Sequence, residues 1–144
     1  MDWPGQRSVE LFRRLPLFEG LPPEALARLV AQVRVIPLVK GKVLFRKGDP
    51  GDSLYVVAEG LIRIGVIAPD GRQVSYGLIH PGQLFGEIAL FDRGPRTADA
   101  SAMADSVLLA LSRAEIHRFL TDHPSYALRM IGVLCQPACA TPTS

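Results

Sequence analysis

Four residues in one stretch could carry chemistry: Gly86, Glu87, Arg96 and Thr97. The stretch runs Phe85-Gly86-Glu87-Ile88-Ala89-Leu90-Phe91-Asp92-Arg93-Gly94-Pro95-Arg96-Thr97-Ala98. A Gly-Glu pair opens a short apolar run, which predicts one or two helical turns. A Gly-Pro break follows, and Arg96-Thr97 leads into a strand. A helix N-terminus offers unpaired backbone N–H groups to a phosphate. Arginine adds a planar charged fork for the same oxygens, and Thr97 adds a hydroxyl donor. Glu87 cannot share the phosphate, because like charges repel. A carboxylate accepting from sugar hydroxyls is the economical assignment, so the parts suit a small anion that carries a sugar.

The elements around this stretch are short. From Arg34 to Leu111 the sequence reads as brief β runs between turns. Val33–Val39, Val43–Phe45 and Leu54–Val57 come first. Ile62, Ile64 and Val66 then alternate with Arg63 and Gly65. Pro69-Asp70-Gly71 is a turn, since proline presets φ and glycine accepts positive φ. Val74, Tyr76 and Leu78 form the next run, and His80-Pro81-Gly82 turns the chain into the opening stretch. After it come Ala98, Ala100 and Ala102, then Val107, Leu109 and Leu111. Such spacing predicts a mainly β fold with flanking α: a small barrel or an eight-stranded antiparallel jelly roll. No long βαβ crossover is visible, which argues against a parallel sheet.

Helices flank the β region. Val9, Leu11, Phe12 and Leu15 predict a short first helix. Pro22-Pro23 opens a second, with Leu26, Leu29, Val30 and Val33 on one stripe. Ser112-Arg113-Ala114-Glu115 matches a capping box, and Ile116, Phe119 and Leu120 supply a buried face. Pro124 opens a last helix, with Leu128, Ile131 and Leu134/Cys135 on one side, and Pro137 stops it. The expected divisions are residues 1–14 as an N-terminal segment, 15–123 as the binding domain, 124–136 as the last helix and 137–144 as a disordered tail.

Whole-chain properties narrow the function. At 144 residues, 48% hydrophobic and 21% charged, this is one globular domain. A net charge of +2 does not by itself indicate nucleic acid. No apolar run nears the ~20 residues needed to cross a membrane. No signal segment is read at the N-terminus, so the expected location is cytoplasmic. Cys135 and Cys139 read as reduced thiols, since two ligands do not make a structural zinc site. His80 is the only histidine in the β region, which leaves a metal-dependent enzyme of the cupin type weakly supported and predicts no metal. No base is positioned to cut a phosphate diester.

The order of helix, jelly roll and C-terminal helices resembles the cyclic nucleotide-binding domain, in the flavour of bacterial catabolite-activator-like transcription regulators. Phe85–Leu90 with Pro95–Ala98 resembles the family's phosphate-binding cassette. Gly48-Asp49, Gly51–Val57 and Glu59-Gly60 resemble its glycine-marked hairpin, and Leu17–Leu21 its entry segment. The resemblance covers about Leu15 to Leu134. It implies that Glu87 takes the ribose 2′-hydroxyl, that the Gly86 and Ile88-Ala89 backbone holds the cyclic phosphate, and that Arg96 and Thr97 bond to it. Ile62, Ile64, Val74 and Tyr76 would line the purine side. The implied ligand is cAMP, with cGMP as the alternative because an Arg-Thr pair is associated with tolerance for guanine.

The resemblance also implies a non-catalytic sensor with a weak homodimer through the C-terminal helix. Regulators of this type continue that helix into a helix-turn-helix. Here Pro137 interrupts it and seven residues follow, so the expectation is a truncated regulator with DNA binding unsupported. A nucleotide-free protein-interaction module of the same fold is the other reading.

Overall fold

The computed structural model describes residues 6–19, 21–86 and 95–134. Helix α1 (Gln6–Arg13), a 3-10 turn (Pro16–Phe18) and α2 (Pro23–Val30) lead into eight strands. These are β1 (Arg34–Leu38), β2 (Val43–Phe45), β3 (Ser53–Glu59), β4 (Ile62–Ile67), β5 (Gln73–Ile79), β6 (Leu84–Phe85), β7 (Asp99–Ala102) and β8 (Ser106–Ser112). Helices α3 (Arg113–Asp122) and α4 (Pro124–Leu134) follow.

The strands form two four-stranded sheets, ordered β1-β8-β3-β6 and β2-β7-β4-β5, with every pairing antiparallel. That interleaving is a jelly roll, as the strand spacing predicts. The two sheets differ in burial. In β3, Leu54 and Val56 face the helices, while Tyr55 and Val57 face the other sheet. In β8, Leu109 and Leu111 face the helices and Leu108 and Ala110 face inward. A sheet buried on both faces needs near-continuous apolar runs, which is how these two strands read. The second sheet covers one face only. Its inner residues Ile62, Ile64, Ala100 and Ala102, with Ala98 just before β7, complete the core between the sheets.

Helices α1, α2 and α3 close the outer face of the first sheet through Phe12, Leu26, Leu29, Val30, Ile116 and Phe119. The Ser112 cap forms: its Oγ accepts from the Glu115 N–H at 3.2 Å. The Pro69-Asp70-Gly71 turn forms too, with the Gly71 N–H donating to the Ala68 carbonyl at 2.9 Å. Two details depart from the simple periodicity. Helix α2 ends at Val30, and Val33 reaches the core from the turn that follows. On α4, Leu128 is exposed rather than on a buried side. No described helix is long and apolar enough to cross a membrane.

Candidate functional site

Arg96 is clamped by its own backbone. Its N–H donates to the Asp49 carbonyl at 2.7 Å, and its carbonyl accepts from the Gly48 N–H at 2.8 Å. The neighbouring Pro95 bridges to Pro50. The Gly48-Asp49 turn is itself closed, since the Asp49 carboxylate accepts from the Arg46 N–H at 2.9 Å. With both backbone groups fixed, the side chain is aimed inward. Thr97, one residue on, points to solvent, and Ala98 returns to the core.

Arg96 is 8% exposed. Its Nη2 donates to the Ser53 carbonyl at 2.8 Å. Its Cζ lies 4.3 Å from the Phe45 ring centroid and 5.6 Å from that of Tyr55. Tyr55 stacks on Phe85 at 5.3 Å, so the seat is a small aromatic cluster. Two glycines make room for it. A Cβ at Gly51 would stand 3.1 Å from Nε, and one at Gly86 would stand 2.9 Å from Nη1. Gly86 also has φ +81°, a conformation that favours glycine.

Among the described residues the guanidinium has few polar partners. Nε is buried with no hydrogen-bond acceptor, and among the described residues no carboxylate pairs with Arg96. A buried cation is costly unless paired. Among the described residues, ring faces and one carbonyl orient it without cancelling its charge. The chemistry that fits is an anion with several oxygens, which a guanidinium fork bonds best.

Gly86 and Arg96 are brought together. Thr97 is close in sequence and its side chain is exposed. Glu87, Ile88 and Ala89 lie outside the described residues. Ile62 and Ile64 are buried in the inter-sheet core with Tyr55, Phe85 and Ala98. Val74 and Tyr76 sit on β5, the edge strand, and are exposed. Tyr76 is the extra residue where the β4–β5 register shifts, between Gly77 (opposite Ile64) and Ser75 (opposite Gly65). Sequence reasoning did not place Phe45, Tyr55, Ser53 or Gly51 at the arginine. Gly51, Ser53 and Tyr55 lie in the glycine-marked hairpin, which is the signal that could have found them; Phe45 carries none. Among the described residues, no group of three or more His, Cys, Asp or Glu could hold a metal ion.

Comparison with known proteins identifies the family. The profile of the cyclic nucleotide-binding domain matches residues 35–123. The chain is 39% identical over 123 residues to the cyclic AMP receptor protein of Thermus thermophilus, covering 84% of this chain and 56% of that one. It is 32% identical over 127 residues to a CRP-like cAMP-activated global transcriptional regulator of Mycobacterium tuberculosis, covering 88% and 57%. The chain thus spans little more than half the length of these relatives. The N-terminal domain of a transcriptional regulator from Streptomyces coelicolor superposes with a TM-score of 0.78 at 40% identity, covering 86% of this chain and 89% of that one. The chain belongs to the cyclic nucleotide-binding domain family.

Proposed function

We propose that this chain binds cAMP in preference to cGMP, and acts as a non-catalytic cytoplasmic sensor within a transcription regulator. The observation that carries the reading is Arg96: a buried guanidinium with an unpartnered Nε and no described carboxylate beside it. In this proposal Arg96 and the backbone near Gly86, Ile88 and Ala89 hold the cyclic phosphate. Thr97 adds a hydroxyl bond, and Glu87 accepts from the ribose 2′-hydroxyl. Ile62 and Ile64 support the inner wall, and Val74 and Tyr76 approach the purine from the edge strand. The similarity to a cyclic AMP receptor protein and to a cAMP-activated transcriptional regulator supports cAMP and a transcriptional output. Homodimerisation would run through the Pro124–Leu134 helix. Occupancy then shifts a conformational equilibrium only as far as the ligand prefers one state.

Calorimetry on the full chain tests this with cAMP, cGMP and 2′-deoxy-cAMP. cAMP should bind tightest, and the deoxy compound should bind more weakly because it lacks Glu87's partner. Equal affinity for cAMP and the deoxy compound would remove Glu87 from the ribose. A second reading has one observation in its favour: Tyr76 and Leu78 on β5 are nearly half exposed, as on a protein-binding face. Cyclic nucleotides raise the melting temperature under the first reading and leave it unmoved under the second.

A further inference from the structure

Strand β2 is irregular at one point. Val43 is opposite Ser101 on β7, yet Phe45, two residues on, is opposite Ala100, one residue back. Partners in an antiparallel ladder share a face, and successive residues alternate faces. Val43 is exposed and pairs outward with Ser101, whereas Ala100 is fully buried. Strict alternation would put Phe45 on the same outward face as Val43. The bulge at Leu44 turns it inward instead, onto the guanidinium of Arg96 at 4.3 Å. Bulges commonly re-aim a side chain beside a functional site.

We propose that Phe45 is the positioning residue of the anion site, its ring face fixing the plane of the Arg96 guanidinium. This rests on the reading of Arg96 as the phosphate ligand. A π face suits the task better than a carboxylate would. It attracts the cation through its quadrupole, yet it carries no net charge and accepts no strong hydrogen bond. The arginine is held in orientation while no described carboxylate cancels its charge, which is left to attract an incoming phosphate. Ser53 fixes one end of the fork through Nη2, and Gly51 bounds it on the Nε side. Phe45 supplies what those two lack, a surface parallel to which the fork can lie. Preorganisation of this kind raises affinity by removing the cost of ordering the side chain.

The test is a set of variants in the full chain. Phe45→Met keeps the apolar volume and removes the π face; Phe45→Tyr and Phe45→Trp keep it. Phe45→Met should weaken cAMP binding about three- to thirtyfold, the range of a partly to fully desolvated cation–π contact. Phe45→Tyr should restore affinity to within about twofold, the margin of a conservative rescue. In an Arg96→Ala background, Phe45→Met should have a much smaller effect, because the residue it positions is gone. NMR on the ligand-free chain gives an independent signature. The Arg96 Nε–H proton should lie upfield in the parent from the ring current and move downfield in Phe45→Met. Unchanged cAMP affinity in a folded Phe45→Met, or an equal loss in both backgrounds, overturns the proposal. If Phe45→Met does not fold, failure of Phe45→Tyr and Phe45→Trp to keep parental affinity overturns it. If the parent itself binds no cyclic nucleotide, the functional reading fails. The ring-current signature then still decides whether Phe45 holds Arg96.

Discussion

Gly86 and Arg96 are in direct steric register: a Cβ on Gly86 would stand 2.9 Å from the Arg96 Nη1 and 3.1 Å from the Ser53 carbonyl that the same guanidinium bonds. The glycine and the arginine therefore work as one unit, although nine residues separate them in the chain. Gly86 contributes its absence of a side chain, and Arg96 fills the space.

Gly86→Ala separates two effects. The backbone has φ +81°, so any L side chain costs about 1–2 kcal/mol there. The new methyl also pushes Nη1 away from its place. Gly41→Ala is the control, because Gly41 has φ +88° with nothing within 4 Å of a built Cβ. Both variants should melt lower by a few degrees, at about 2–4 °C per kcal/mol for a domain near this size. Only Gly86→Ala should also weaken cAMP binding in calorimetry. Equal affinities in the two variants would show that Gly86 matters for backbone conformation alone.

Arg96→Ala should cost about 1.5–3 kcal/mol of cAMP binding, the range for hydrogen bonds to a charged group, or roughly a tenfold to hundredfold rise in Kd. Stability should behave differently. In the free protein the guanidinium is desolvated without a described carboxylate, and a buried charge of that kind does little for the fold. The ligand-free variant should thus melt within a few degrees of the parent or above it, while the rise that cAMP produces should shrink. A large loss of stability with unchanged affinity would make Arg96 a structural residue.

Ser112→Ala tests the junction between barrel and helices. Ser112 Oγ accepts from Glu115 N–H at 3.2 Å, while the Glu115 carboxylate pairs with Arg118 at 3.5 Å. Removing such a cap costs about 1 kcal/mol. The melting temperature should fall by about 2–4 °C, with the cAMP affinity of the folded fraction retained. An unchanged melting temperature would show that α3 is held by Ile116 and Phe119 rather than by its cap.

What the sequence made legible follows from periodicity and local rules. The double-sided burial of β3 and β8 is visible as runs of apolar residues, and the Ser112 cap and the Pro69 turn are local signatures. Gly86 and Arg96 could be joined because both belong to one stretch. Phe45 could not, because its inward aim depends on a bulge, and a three-residue strand is too short for alternation to reveal one. Strand β6 has only two residues, so its pairing with Tyr55 and Val56 is a tertiary fact with no period of its own. Leu128 shows the opposite failure: helical spacing marks it as apolar and says nothing about whether a neighbour covers it.

Thr97 offers the sharpest test of ligand choice. It is exposed between two buried neighbours, Arg96 and Ala98, so its side chain packs nothing that folding depends on. Thr97→Ala should leave stability within about 0.5 kcal/mol of the parent. Its hydroxyl is proposed to bond the cyclic phosphate in either nucleotide, and in cGMP also to meet the guanine amino group. Loss of one neutral hydrogen bond costs about 0.5–1.5 kcal/mol. Binding of both nucleotides should weaken, and cGMP should lose more. The ratio of the cGMP Kd to the cAMP Kd should therefore rise about twofold to tenfold, read from paired calorimetric titrations. A ratio that does not move would take the threonine out of purine selection and leave that choice to the inner wall at Ile62 and Ile64.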